Sequence, residues 1–303
     1  MDTGNPLPRR PLGSGDEWVE LPDGRRYWGR YGAAGLLVSS TAGVLLQHRA
    51  GYSHFGGTWG LPGGARHEGE SAVAAAAREA EEEAGVPGDA LRLRFSSRLD
   101  LEVWSYTTVV ATVDEPFRPV IGDAESIELR WVAADEVEEL PLHPRFAESW
   151  PDLRGLLARR PTLLVDVANV MGSRPDGWWR DRPGAAARLL AGLDALSSAG
   201  VPAADLALPG ARWWPHTVAV LEGQAKAAPD AAAVAVLRAE RDGDSAIADA
   251  VGAAPDPREV TVVTADRGLR DIVTGAGARV LGPGRLWELI DAAVRPPRST
   301  PSS

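Results

Sequence analysis

Between Gly64 and Val86 the sequence prescribes a short alanine-rich helix with three glutamates on one face and a glycine segment at either end. The run Ala72 to Ala77 has high helix propensity, Gly85 stands where a left-handed C-cap is wanted, and Pro87 prevents continuation. Glu79, Glu82 and Glu83 follow i, i+3, i+4 spacing and so share a face. Like charges placed this way cost an isolated helix about 0.2–0.5 kcal/mol per pair, and Arg78 is the one cation between Ser71 and Ala84. A bound divalent cation would remove the conflict. In front of the helix, Gly60-Leu61-Pro62-Gly63-Gly64 has little side-chain bulk, so its backbone can approach a ligand closely. Glu70 lies near the positive end of the helix. Hard cations take oxygen ligands, keep several waters and bridge to substrate phosphates, so the segment suits diphosphate chemistry. A glutamate run alone would read as a solvated acidic face; the complete spacing favours a site.

The pattern Gly64, five residues, Glu70, seven residues, Arg78-Glu79, two residues, Glu82-Glu83, one residue, Gly85 and an aliphatic resembles the Nudix box at every charged and glycine position. The resemblance extends upstream through Val44-Leu45-Leu46-Gln47-His48-Arg49 and Gly56 to Gly64. Ala80 stands where a larger aliphatic is common, which would loosen the packing of the helix. The resemblance implies that Glu79, Glu82 and Glu83 hold Mg²⁺, with Mn²⁺ as an alternative. It further implies that Gly64 adds its backbone carbonyl, that Arg78 orients a glutamate by ion pairing, and that Glu70 supports the loop. Catalysis would then rest on Glu70, Arg78, Glu79, Glu82 and Glu83. A box glutamate or an acid near Glu125 would be the general base.

The chain has 303 residues, room for two domains. It lacks cysteine, which excludes disulfides and thiol chemistry. No segment reaches the roughly 18 apolar residues of a membrane span, and the start has Arg9-Arg10 without an apolar core like that of a signal peptide. A cytoplasmic protein with no membrane partner is expected. The net charge of −10 falls entirely before Gly155, and the remainder is neutral. An acidic surface opposes loose nucleic-acid binding.

The expected organisation is a flexible tail over 1–18, a first domain over 19–155, a second over 156–294 and a flexible tail over 295–303. In the first domain, Ala33–Val38, Gly43–His48, Leu91–Leu93, Glu102–Thr112 and Ile127–Val132 read as strands. Ser71–Ala84 and Asp135–Leu140 read as helices, and a short helix follows towards Leu153. This order is that of a Nudix α/β/α sandwich with a mixed sheet. In the second domain, Thr162–Val167, Thr217–Leu221 and Val260–Thr264 are apolar runs without alternation, separated by helical segments at Pro183–Leu196, Ser245–Val251 and Leu286–Ala293. Such runs belong to a buried, mainly parallel sheet. Acids follow them, at Asp166, Glu222, Asp244 and Asp266, where open parallel sheets bind ligands.

The stretches Val165 to Val170, Gly243 to Ile247 and Val263 to Leu269 resemble the PIN-like nucleases of the NYN type. That resemblance implies a Mg²⁺ or Mn²⁺ site on Asp166, Asn169, Asp244 and Asp266 that activates water against RNA. Ser245 stands where a second acid is common, with Asp242 or Glu222 as substitutes. Each of these residues could equally cap a helix or turn. Arg174, Trp178, Trp179, Arg180 and Arg182 interleave guanidinium and indole as single-strand grooves do. They could instead form a packed corner paired with Asp176 and Asp181, and Trp213-Trp214 poses the same choice.

The reading with most support is a Mg²⁺-dependent Nudix hydrolase that cuts a pyrophosphate bond in a nucleoside diphosphate derivative. Its upstream and closing segments resemble the MutT branch, which acts on nucleoside triphosphates, oxidised ones included. Pro87 follows the box too soon for the proline of ADP-ribose pyrophosphatases, and Trp104 and Tyr106 fall near the tyrosine of dinucleoside polyphosphate hydrolases. The competing readings are a nucleotide-sensing or RNA-linked binding protein without turnover, and a bifunctional hydrolase and ribonuclease. Oligomeric state is not encoded in these motifs.

Overall fold

The computed structural model describes residues 13–53 and 55–295, so most of both expected tails lies outside the described residues. The chain divides into two compact units between Ala158 and Arg159. Among the described residues no helix is long and apolar enough to cross a membrane.

The first unit opens with an antiparallel hairpin, β1 (Trp18–Glu20) and β2 (Arg26–Trp28), that sequence patterning missed. Trp18 is therefore strand rather than tail. Its ring meets Trp28 edge-on at 5.3 Å, and Tyr27 stacks on Trp104 at 4.5 Å, so aromatic contacts hold a pairing too short to stand alone. Next come β3 (Ala33–Ser40), β4 (Gly43–Arg49), β5 (Trp59–Gly60), β6 (Gly63–Ala65) and α1 (Ala72–Ala84). They are followed by β7 (Arg92–Asp100), β8 (Ser105–Thr112), β9 (Ser126–Val132) and α2 (Pro144–Leu156). The sheet runs β7-β8-β3-β4-β5, with β6 added to β3 and β9 to β4. It is mixed, because β3 pairs parallel with β8 and antiparallel with β4 and β6.

Several expected boundaries shift. The strand expected at Glu102 begins at Ser105, because Glu102 adopts φ 66° in the turn closed by Leu101 N–H on the Trp104 carbonyl. The strand expected at Leu91–Leu93 runs on to Asp100, its arginines and serines having masked the alternation. The helix expected at Asp135–Leu140 is a single 3₁₀ turn, Val137–Glu139. Ser71 is the N-cap of α1, accepting from Ala74 N at 3.1 Å, and Gly85 closes the helix at φ 64°. The buried face of α1 is Ala75, Ala76, Ala80 and Ala84, laid on Ala34, Leu36 and Val38 of β3 and Val109 and Ala111 of β8. Ala80 is completely buried, so its small side chain brings the helix close to the sheet instead of loosening it.

The second unit begins with β10 (Thr162–Asp166), α3 (Val167–Gly172) and α4 (Arg182–Ala199). A two-residue pairing of β11 (Val201–Pro202) and β12 (Arg212–Trp213) follows, then β13 (His216–Leu221) and β14 (Ala235–Arg238). The chain closes with α5 (Gly243–Gly252), β15 (Val260–Val263), α6 (Arg267–Gly275), β16 (Arg279–Leu281) and α7 (Pro283–Val294). The sheet order is β14-β13-β10-β15-β16 and every pairing is parallel. Strand order thus reverses at β10, the position beyond which open sheets bind ligands. Leu164, Val220, Val260 and Val262 meet Ile247, Val251, Leu269 and Val273 of α5 and α6 in its core.

Candidate functional site

Three neighbours of α1 create its acidic site: the β6 segment, the loop ending at Glu70, and the 120–125 loop before β9. Arg78 is the hub. Its Nε donates to Glu70 Oε1 at 2.9 Å and its Nη2 to Glu70 Oε2 at 3.0 Å and to the Ala65 carbonyl at 3.1 Å. Its Nη1 donates to Glu79 Oε1 at 2.7 Å and lies 3.6 Å from Glu82 Oε2. Glu70 also accepts from His67 N at 2.8 Å. Burial works against the charged form of Glu70, but the Arg78 bonds and the His67 N–H together outweigh it and hold the carboxyl below its ordinary range. The Glu70 bonds, then burial in opposition, then Glu79 act on Arg78, whose guanidinium is held charged more firmly than usual.

Glu79 and Glu83 are buried, at 8% and 5% exposure, whereas the side chain of Glu82 is 40% exposed. Glu83 is held by other groups. Its Oε2 accepts from Gly63 N at 3.0 Å and from Gln47 Nε2 at 3.2 Å, and Gln47 Nε2 also reaches Ser126 Oγ at 2.6 Å. The 120–125 loop docks on the end of the helix through Val120 N on the Ala84 carbonyl and Gly122 N on the Glu83 carbonyl, both at 3.1 Å. Gly122 must be glycine, since a Cβ there would lie 1.7 Å from the Glu82 carbonyl oxygen. Nearby Tyr106 has its phenol pushed up to about 12, first by burial and then by the Glu83 charge.

The structure thus gathers Glu70, Arg78, Glu79 and Glu82 around one guanidinium and gives Glu83 a separate set of partners. Sequence reasoning missed Gln47, Ser126 and Gly122. The signal for Gln47 was available, as a polar residue that breaks the apolar run Val44-Leu45-Leu46. Among the described residues no three His, Asp or Glu side chains already converge as a metal cage. The donor set nevertheless fits a hard cation. Its ligands would be carboxylate oxygens, and a Cβ on Gly64 would fall 2.6 Å from Glu79 Oε1, so the glycine keeps open a cradle that any side chain would fill. Glu79, Glu82 and Glu83 beside Gly64 are the residues that would hold it.

The NUDIX domain model matches residues 29–153, which contain this entire site. A Mycobacterium tuberculosis protein provisionally named 8-oxo-dGTP diphosphatase 3 is 49% identical over 165 residues, covering 51% of this chain and 76% of that protein. The chain belongs to the Nudix family. It is a Nudix hydrolase, an enzyme of the pyrophosphohydrolase class. A Bifidobacterium longum nucleoside triphosphate pyrophosphatase/Nudix hydrolase fusion protein is 40% identical over 147 residues, which cover 45% of this chain and 30% of that one. The crystal structure of the Nudix hydrolase RenU from M. smegmatis shares 48% identity, covers 48% of this chain and 96% of its own, and superposes with a TM-score of 0.44.

In the second unit three of the four expected residues have structural partners. Asp166 caps α3, accepting from Asn169 N at 3.1 Å, and its other oxygen accepts from Thr264 Oγ1 at 3.0 Å. Asn169 Oδ1 accepts from Ala265 N at 2.8 Å, and Asp266 caps α6 through Leu269 N at 2.8 Å. Asp244 is not a cap, because Asp242 takes that place and accepts from both Ser245 N and Ser245 Oγ. Burial first, then the charges of Asp244 and Glu222, push the Asp166 carboxyl up, although its hydrogen bonds oppose the shift. Asp244 is pushed up by burial and then by Asp266, Glu222 and Asp242. The acids therefore crowd one sheet edge without forming a metal cage.

The Trp–Arg segment splits. Trp179 is 53% exposed beside Trp178, with Arg182 5.5 Å from the Trp178 ring centre. Arg174 is bound to Asp291 at 2.7 Å and lies over Trp287. Asp176 and Asp181 bond backbone N–H groups of Trp178 and Gly184. Trp213 is fully buried and donates to the Pro209 carbonyl, which makes it core rather than a stacking surface.

Proposed function

We propose that this chain is a Mg²⁺-dependent hydrolase, with Mn²⁺ as a substitute, that cuts a pyrophosphate bond in a nucleoside triphosphate, guanine nucleotides with an oxidised base among them. The observation that carries this reading is the placement of Glu79 and Glu83, both buried on one face of a capped helix and turned to a glycine strand. The identity of the M. tuberculosis relative supports the choice of nucleotide class. A cation bound there would neutralise the diphosphate and lower the pKa of an attacking water. Glu79, Glu82 and Glu83 would hold the cation, Arg78 would fix Glu79, and Glu70 would tie Arg78 to the loop. The backbone of Gly63 and Gly64 would leave room for the phosphates. Hydrolysis of 8-oxo-dGTP, dGTP, ADP-ribose and dinucleoside polyphosphates by wild type and Glu83→Gln, with and without Mg²⁺, tests the assignment. Equal rates in both proteins would overturn it.

A second, accessory reading concerns Arg159 onward, for which we propose a PIN-like unit with an RNA-related role. The crowding of Asp166, Asp244, Glu222 and Asp266 where strand order reverses favours it, as does exposed Trp179. Intact RNA after incubation of the full chain with Mn²⁺, and no RNA retention at low salt, would rule it out.

A further inference from the structure

β4 is apolar through Val44, Leu45 and Leu46, all essentially unexposed, and then carries Gln47 at 0% exposure. A leucine at that position would serve the core without polar cost. The amide instead commits both N–H donors, one to Glu83 Oε2 and one to Ser126 Oγ, and its Oε1 is left buried with no hydrogen-bond partner. The orientation is forced, since a carboxylate and an amide carbonyl are both acceptors and only the NH₂ end can face Glu83. A buried polar group left half-satisfied weakens a core, so packing does not account for the choice of glutamine.

Its partner does. The Glu83 oxygen that Gln47 holds also accepts from Gly63 N–H, so one carboxylate oxygen is fixed from the glycine strand and from β4 together. Ser126, which fixes Gln47 in turn, opens β9 at the point where its register with β4 shifts between His48 and Arg49. We infer that Gln47 is a positioning residue for the divalent-cation site, holding the Glu83 carboxylate in one orientation while Ser126 locks Gln47. The inference rests on the proposed role of Glu83 as a ligand. Partners that orient a ligating carboxylate cost about 10–100-fold in metal affinity or activity when removed.

The test is a Mn²⁺ titration of the full chain without nucleotide, read by electron paramagnetic resonance of free Mn²⁺, together with melting in EDTA. Gln47→Leu should raise the Mn²⁺ dissociation constant about 10-fold or more while melting in EDTA at or above the wild-type temperature. Ser126→Ala should shift affinity in the same direction by less. Wild-type affinity in both variants overturns the inference. A lower melting temperature for Gln47→Leu with normal Mn²⁺ uptake by Ser126→Ala also overturns it, by assigning Gln47 to packing. Should Gln47→Leu fail to fold, Ser126→Ala decides alone: weakened uptake supports the inference and unchanged uptake defeats it. If folded wild type takes up no Mn²⁺, or Glu83→Gln binds it normally, the proposed ligand role of Glu83 fails and this inference with it. Uptake abolished by Glu83→Gln but untouched by Gln47→Leu and Ser126→Ala defeats the inference alone.

Discussion

The acids on α1 and the acids beyond β10, β13 and β15 both fall at the end of a sheet or along one helix face, yet the fold surrounds the two clusters differently. On α1, Arg78 bonds Glu70 and Glu79 and lies near Glu82, so one guanidinium offsets part of the acidic charge and ties these side chains together. In the second unit the charges that act most on Asp166 are those of Asp244 and Glu222, both acidic. In the first cluster the arginine helps hold the Glu70 carboxyl below its ordinary range, whereas in the second burial and neighbouring acids push Asp166 and Asp244 up. Crowded acids therefore do not amount to a site by number alone; what differs between these two clusters is whether the fold bonds an arginine into them.

The largest expected effect bears on function. Glu83→Gln should lower Mg²⁺-dependent hydrolysis by about 10²–10³-fold, measured as kcat/KM. The analogous change in the second unit, Asp166→Asn, should leave that rate unchanged. If it did not, the contrast between the clusters would break. Next is Arg78→Ala, which removes the guanidinium that Glu70 and Glu79 share and should cost about 2–3 kcal/mol in urea unfolding, somewhat under the loss for a fully buried pair because Arg78 keeps some exposure.

Two smaller effects have opposite pH dependence. The Glu70 carboxyl lies below its ordinary value in the folded protein, so its contribution is complete above the unfolded value near 4.5 and fades as pH falls through the folded one. Glu70→Gln should therefore destabilise by about 1 kcal/mol at pH 7 and by less as acid is added. Asp166 is raised, so its ionisation is penalised as pH rises through the folded value, and no penalty exists below the unfolded value of 3.8. Asp166→Asn should stabilise by about 0.5–1 kcal/mol at pH 7 and give nothing near pH 3. Melting curves across pH would sharpen the comparison by showing the two variants diverging in sign.

The helix limits of α1 were legible because Ser71, Gly85 and Pro87 act locally on the backbone. The buried strands β3, β4, β10, β13 and β15 were legible as apolar runs. β7 was hidden because its outward residues are arginine and serine, and β1 and β2 because three-residue strands held by aromatic contacts leave no periodicity to read. For Trp213 the sequence leaves stacking and packing both open, and burial with the bond to the Pro209 carbonyl decides for core. The caps Asp166 and Asp266 were foreseen as one of two options. Asp242, rather than Asp244, took the third cap because it directly precedes the first helical residue of α5.

The sequence by itself determined which carboxylates share a helix face, since a period of 3.6 residues fixes that for any neighbours three and four apart. It could not determine how they would be held. Glu83 meets Gln47 across 36 residues, and Gln47 meets Ser126 across 79, contacts that exist only once β4, β9 and α1 have packed. Local spacing places a charge, and the folding of distant strands around it decides whether it is balanced by an arginine, fixed by an amide or left against another acid.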